Sequence, residues 1–383
     1  MKLGFIFFML LPVLAHVYVL WHVYQVLPMP AWGKWIVVLL MTAALAMMFI
    51  GLFGAFDRMP LSLASISYDI STSWLIVFLY LLIIFIVLDL GRLVHLVPKE
   101  WLHNNAFTAG AITTVVAGLL IYGNIHYNNK VRQPLEVPTA KQLSKPVKVV
   151  MLSDLHLGYH NRKAEWQRWV KMINAENPDL ILVAGDIIDG YVRPLNDDDM
   201  AADFHQLKAP VVACLGNHEY ITGIDKALDF YQRAGITLLR DSTLTMGDLL
   251  IVGRDDRSNR NRKTTEQLLA GADRNKFIIL LDHQPYNLDE SKKNGVDFQL
   301  SGHTHEGQVW PISLVVHGMY EDAWGFLQKG DTRYYVSSGL GIWGGKYRIG
   351  TRSEYIVATI TGNNDVKAKA KDITDTSSSR ATP

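Results

Sequence analysis

The distribution of apolar residues divides the chain near residue 130. Four long apolar runs occupy about 3–27, 32–56, 70–97 and 104–127. Each reaches the roughly 20 residues that cross a ~30 Å hydrocarbon core as a helix. A helix is the economical form there, because backbone polar groups in lipid must be satisfied within the segment. Pro28, Pro30, Pro60 and Pro98 punctuate the runs, and Trp21, Trp32, Trp35, Trp74 and Trp101 lie near their ends, as interfacial aromatic residues do. The first run opens like a secretory leader, with Lys2 before FIFFMLLPVL. No small-residue cleavage site follows and the stretch continues through Val26, so it reads as an uncleaved helix. The expectation is a transmembrane region over 1–127 with about four helices. Asp89 and Arg92, three residues apart, predict a salt bridge on one helical face.

Residues 128–146 are polar, with prolines at 134, 138 and 146, and read as a linker. From 147 to 361 the pattern changes to short apolar runs of the buried-strand type. VKVVML (147–152), LILVAG (180–185), VVACLG (211–216), DLLIVG (248–253), FIILLD (277–282), FQLSG (298–302), RYYVSSG (333–339) and EYIVATI (354–360) predict strands. Residues 162–176 and 224–234 predict helices. Strand–helix–strand units in the first half imply a parallel sheet with right-handed crossovers, and the closely spaced later strands imply a second sheet packed on it. Residues 362–383 are rich in Lys, Ala, Asp, Thr and Ser and read as a disordered tail.

Charge sharpens this division. The 383 residues carry 37 basic and 36 acidic side chains, a formal charge of +1, so no bulk positive field argues for a nucleic-acid partner. Only six of the basic and four of the acidic residues fall in 1–130. One third of the chain therefore suits a bilayer and two thirds a near-neutral water-facing domain. With four crossings both termini share a side. Lys2, Arg58, Lys130, Arg132, Lys141 and Lys145 lie there, against Lys34, Arg92 and Lys99 on the other. The positive-inside bias then leans toward a cytoplasmic C-terminal domain in a multi-pass membrane protein. Cys214 stands alone and forms no intramolecular disulfide.

Candidate chemistry clusters just after the predicted strands. Asp154 and His156 follow the first, Asp186 and Asp189 the second, and Asn217, His218 and Glu219 the third. Asp282 and His283 follow FIILL, and His303 and His305 follow FQLSG. In open α/β sheets the carboxyl ends of strands are where ligands bind. Carboxylate and imidazole together suit manganese, iron or zinc, and the number of donors exceeds the needs of one ion. Two ions about 3.5–4 Å apart clamp both oxygens of a phosphoryl displacement.

SDLHLG (153–158), GDIIDG (185–190), GNHEY (216–220) and GHTHEGQVWP (302–311), in this order and spacing, resemble the calcineurin-like metallophosphoesterase superfamily. GHTHEGQ with SSGLGIWGGKYRIGTRSE (337–354) is similar to its bacterial, membrane-associated branch. The resemblance covers about 147–360. It implies two mixed β-sheets sandwiched between helices, and hydrolysis by direct attack of a metal-bridging hydroxide. By resemblance, Asp154, His156, Asp186 and His305 hold one ion. Asp186 bridges to a second, which Asn217, His283 and His303 complete. Manganese is the first choice, with iron or zinc as alternatives. His218 would serve as general acid near the leaving oxygen, and Asp189 would orient it by accepting a hydrogen bond.

The implied partners are a lipid bilayer and a phosphate monoester, diester or pyrophosphate linked to the membrane or envelope. A phosphoprotein or nucleotide substrate is the alternative within the same chemistry, and a non-catalytic membrane sensor the alternative outside it. His160, His205 and His317 match none of the motifs and read as ordinary histidines. Asp197–Asp199 read as an acidic helix start or solvated loop, and Arg254, Arg257, Arg260 and Arg262 as a solvated basic loop. Glu219 reads as a supporting or surface residue. Trp310, Trp324, Trp343 and Tyr347 suit either an apolar groove or the core.

Overall fold

A computed structural model describes residues 2–363, with side chains from residue 11 onward. The tail expected over 362–383 thus lies almost wholly outside the described residues. The chain divides into two compact units, Met1–Ile125 with Gly344–Tyr347, and His126–Trp343 with Arg348–Pro383.

The first unit carries α1 (Lys2–Val26), α2 (Ala31–Leu52), α3 (Leu61–Leu93) and α4 (Ala106–Asn128). Among the described residues, α2, α3 and α4 are long and apolar enough to cross a membrane. In α1 the described apolar stretch is Leu11–Val26, shorter than the full helix. Helix α3 begins nine residues before the apolar run that announces it. Its opening SLASISYDIST is rich in small polar residues, and Ala64, Ser65, Ser67, Tyr68, Ser71 and Thr72 are buried. Small residues let helices approach closely in lipid. Ser71 and Thr72 donate their hydroxyls to the Tyr68 carbonyl at 3.0 and 2.7 Å, so neither leaves a polar group unsatisfied. The Asp89–Arg92 bridge forms at 3.1 Å. Two residues of α1 extend it, since Tyr18 donates to Asp89 at 2.7 Å and His22 Nε2 lies 3.0 Å from the same carboxylate.

Among its described residues the second unit carries twelve strands: β1 (Lys130–Pro138), β2 (Val147–Leu152), β3 (Leu180–Ala184), β4 (Val211–Cys214), β5 (Thr237–Leu238), β6 (Ser242–Met246), β7 (Leu249–Gly253), β8 (Phe277–Leu281), β9 (Phe298–Ser301), β10 (Gly325–Lys329), β11 (Thr332–Val336) and β12 (Ser353–Thr361). They form two six-stranded mixed sheets in the orders β1-β12-β2-β3-β4-β5 and β10-β11-β9-β8-β7-β6. The strands β2 to β5 run parallel, as do β7, β8 and β9, while β12 lies antiparallel to β2.

Alternation along the strands builds the layers. In β8, Phe277, Ile279 and Leu281 face the other sheet, packing with residues such as Met151, Leu182 and Val212. Ile278 and Leu280 face outward, onto Leu268, Leu269 and Val296. On the far side of the first sheet, Val150, Leu152, Ile181 and Val183 pack on Trp166, Trp169 and Phe230 of the helices Lys163–Ala175 and Ile224–Arg233. The result is helix, sheet, sheet, helix.

Part of the expected linker is ordered. Residues 130–138 pair with β12 in parallel, from Lys130 opposite Ser353 to Pro138 opposite Thr361. The segment is an edge strand. Its polar composition and two prolines suit a position with one unpaired side, and those features hide it from a search for apolar runs.

Candidate metal centre

The side chains expected to carry chemistry converge where strands of both sheets end. Asp154, His156 and His305 present donor atoms that all lie within 4.8 Å of one another, and so do Asp186, His283 and His303. Asp186 Oδ2 borders both sets, 3.7 Å from His156 Nε2 and 3.1 Å from His283 Nε2. Asn217 Oδ1 reaches the second set, 3.2 Å from His283 Nε2 and 2.8 Å from His303 Nδ1. The loops are tied together through their main chains. Asp154 N–H donates to the Gly185 carbonyl, His156 N–H to that of Asp186, and Gly302 N–H to that of His283, at 3.1, 3.0 and 2.9 Å.

Turning so many side chains into one pocket strains the backbone. Asp154, His156, Asp186, His303 and His305 all adopt left-handed conformations, with φ between 44° and 70°. Such residues cost on the order of 1–3 kcal/mol each and persist only where their surroundings over-determine them. Two glycines make room. A Cβ on Gly216 would lie 2.1 Å from Asp186 Oδ1, and one on Gly302 would lie 2.2 Å from Asp154 Oδ2. Gly216→Ala and Gly302→Ala should therefore lose manganese affinity by ~10–100-fold, the usual scale for displacing the support of a metal ligand. Calorimetric titration of the metal-free variants checks this.

The donor set fits two divalent cations. His156 Nδ1 bonds Asp189 Oδ1 at 2.9 Å, and His283 Nδ1 donates to the Ala184 carbonyl at 2.7 Å. Each ring thereby turns a bare Nε2 inward, the arrangement that metal-ligating histidines favour. His156 Nε2 and His305 Nε2 face each other at 3.0 Å, two nitrogens that require a proton or a cation between them. Without metal, protons compensate the buried carboxylates. Burial opposes charge on His156, but its hydrogen bonds to Asp154 and Asp189 and the field of Asp186 push it up to about 10. His283 is likewise driven well up against its own burial, chiefly by Asp186, whereas burial lowers His303 to about 4. Burial also works against Asp189, which His160 and His156 nevertheless pull down to about 2.

His218 and Asp189 meet in a different way from that expected. The Asp189 main-chain carbonyl accepts from His218 Nδ1, while its carboxylate serves His156. The nearer carboxylate oxygen is 3.9 Å from His218. The left-handed loops bring a carbonyl, not a side chain, to the second histidine. His218 also donates its main-chain N–H to Asp186 Oδ1 at 2.9 Å, so its backbone steadies that carboxylate.

Several supporting residues carry little signal in the sequence. Glu219 is fully buried, accepting from the main-chain N–H groups of Gly216, Asp186 and Ile188 at 2.8, 3.1 and 3.1 Å. It binds two ligand loops to each other. Arg348, also fully buried, donates to the carbonyls of His305 at 2.6 Å and of Ser338. His160 is buried rather than incidental, bonded to the Ile342 carbonyl at 2.6 Å and 3.8 Å from Asp189 Oδ2. The basic stretch is only partly solvated. Arg254 and Arg262 pair with buried Asp282 at 3.3 and 2.9 Å, and Arg257 lies over the Tyr286 ring at 4.2 Å. A run of arginines between strand and helix does not reveal which members turn inward. Asp197 and Asp198 pair with Arg193 and Arg162 at 3.0 and 2.9 Å.

Comparison with known proteins agrees with this geometry. A family profile described as calcineurin-like phosphoesterase matches residues 147–307. A metallophosphoesterase of Campylobacter jejuni is 32% identical over 267 residues, covering 65% of this chain and 68% of the relative. One of Aquifex aeolicus is 31% identical, covering 57% and 87%. A zebrafish (Danio rerio) transmembrane protein with metallophosphoesterase domain is 28% identical over 350 residues, covering 83% of this chain and 78% of the relative. With relatives above 30% identity along two thirds or more of their length, and two candidate donor sets side by side, the chain belongs to the calcineurin-like phosphoesterase family of metal-dependent phosphoester hydrolases.

Proposed function

We propose that the protein is a membrane-anchored, two-metal phosphoesterase that hydrolyses a phosphate monoester, diester or pyrophosphate belonging to the membrane or envelope. The observation that carries this reading is the pair of donor sets that Asp186 Oδ2 borders, in a chain whose described residues include three helices long and apolar enough to cross a bilayer. Tethering raises the effective concentration of a substrate confined to the same surface.

Asp154, His156 and His305 would hold one ion, Asn217, His283 and His303 the other, and Asp186 both, with manganese the first choice. When bound, the two ions would acidify water and neutralise charge on the phosphoryl oxygens. The chain's own contribution is positioning. Asp189 fixes the ring of His156, the Ala184 carbonyl fixes that of His283, and Glu219 locks the loops that carry Asp186 and Asn217. With Nδ1 of His218 committed to the Asp189 carbonyl, Nε2 is the nitrogen left to give a proton to the departing oxygen.

Proton competition sets the pH dependence of metal loading. A protonated His156 stabilises the metal-free fold fully below the ordinary histidine pKa of 6.5, and that contribution disappears as pH rises through about 10. An ion must displace this proton. Manganese binding near neutrality should therefore release protons, and affinity should rise with pH toward 10. Calorimetry in buffers of different ionisation enthalpy reads the released protons directly. Binding with no buffer dependence would contradict the assignment.

The functional reading is tested by a substrate panel of lipid phosphates, lipid-linked nucleoside diphosphates, free nucleotides and phosphopeptides, with Asp186→Asn as control. Turnover is expected on the lipid esters, and exclusive turnover on phosphopeptides or nucleotides would overturn the substrate class. The charge bias of the flanking segments supports a cytoplasmic catalytic unit, and a reporter fused to the C-terminus tests it.

A further inference from the structure

The helix Ile312–Met319, which follows the ligand loop, is packed inside out. Its buried residue is a small polar one, Ser313, whose backbone lies against Gly307, where an added Cβ would come within 2.6 Å. Its apolar side chains point to solvent instead. Leu314 is 62% exposed, Val315 58% and Met319 64%, and Trp310 just before the helix is half exposed. A helix of a globular domain normally turns its apolar stripe to the core and its polar face to water. Here the stretch Val309–Tyr320 contains no Asp, Glu, Lys or Arg at all. Adjoining exposed apolar residues rimmed by polar surface mark an interaction site.

The helix also borders the metal centre. It begins seven residues after His305, and Tyr320 at its end lies with its ring 6.4 Å from that of His303. The Tyr320 hydroxyl meets that of Tyr286 at 3.0 Å. Whatever covers this helix is therefore beside the reacting group.

We propose that Trp310 and the outward face of Ile312–Met319 dip into the interfacial layer of a lipid bilayer and seat the catalytic rim on it. The chain itself argues for a bilayer over other occupants. Helix α4 runs to Asn128 and β1 starts at Lys130, so a single residue separates the last apolar helix from the first strand of the catalytic unit. So short a connection tethers the unit to the bilayer that the apolar helices would span, and exposed apolar side chains led by a tryptophan suit the interfacial layer, where Trp and apolar helix faces lie. The inference rests on the membrane-anchored phosphoesterase reading for its biological sense but not for its test.

Cys214 is the only cysteine and is buried, so a second one can be labelled selectively. The full chain carrying Leu314→Cys, and separately Val315→Cys, is labelled with an environment-sensitive fluorophore. It is then reconstituted in nanodiscs of phosphatidylcholine and phosphatidylglycerol, with and without acyl-chain nitroxide lipid. Lys293→Cys, at an exposed charged position, is the reference. Both helix labels should emit at shorter wavelength than the reference and lose at least about half their intensity to the nitroxide lipid, as a segment buried in the acyl boundary does. Labels that behave like the Lys293 reference would overturn the proposal. So would blue-shifted labels that the nitroxide lipid fails to quench, since protein would then cover the helix. Hydrolysis of p-nitrophenyl phosphate by the same labelled proteins reports the chemistry separately, so failed docking and a failed phosphoesterase reading are distinguishable.

Discussion

Asp186→Asn is expected to lower turnover of p-nitrophenyl phosphate by about a hundred- to a thousandfold, the scale on which losing one preorganised electrostatic contact acts. The residue is fully buried and its carboxylate oxygens are all engaged. Oδ1 accepts from the His218 main chain, and Oδ2 stands between His156 and His283. Burial opposes its charge, yet His283 and His218 hold its carboxyl well below the usual range, so it is an anion at any working pH. An amide keeps the shape but removes the negative charge and turns one acceptor oxygen into an NH2 donor. Both cations lose affinity together. The expected signature is a fold that melts near the wild-type temperature without metal and gains no stabilisation when manganese is added. Thermal melts with and without manganese, run beside the kinetics, separate this outcome from simple unfolding.

His218→Ala should lower kcat by about 10²–10⁴, the usual worth of a positioned general acid, while metal content stays at the wild-type level. The imidazole touches the centre edge-on, its ring centroid 4.5 Å from that of His156, but its contacts to Asp186 and Asp189 run through main-chain atoms. Alanine preserves the main-chain N–H that supports Asp186. A substrate with a good leaving group, such as p-nitrophenyl phosphate, needs less help from an acid than an alkyl phosphate does. The loss should therefore be smaller for the aryl ester and larger for the alkyl ester. Equal losses on both would remove the acid role, and loss of both metals would make His218 a ligand.

The strands and the ligand loops were legible because two periodicities coincide. Short apolar runs such as FIILL mark strands buried on both faces, and each run ends in a polar word carrying Asp, His or Asn. That put the candidate donors at the strand ends, and the resemblance to the metallophosphoesterases singled out the seven proposed as ligands. The segments that escaped are those where burial and hydrophobicity part company. β1 is an edge strand of polar residues and prolines, and the first turns of α3 are buried through serine and threonine. The apolar helix Ile312–Met319 reverses the relation, since its hydrophobic residues are the exposed ones. Within the site, residue types predicted which groups would gather but not which atoms would touch. The carbonyl of Asp189 facing His218, and Arg348 buried behind His305, depend on left-handed turns that no residue pattern announces.

The central claim is a centre for two cations sharing one carboxylate. It is tested most directly by metal titration of the detergent-solubilised, metal-stripped chain, following bound manganese and phosphoester turnover in the same samples. The account predicts no turnover without metal, a rise that is complete only at two bound ions per chain, and no second ion in Asp186→Asn. Full turnover with one ion bound, or in the stripped protein, would contradict it.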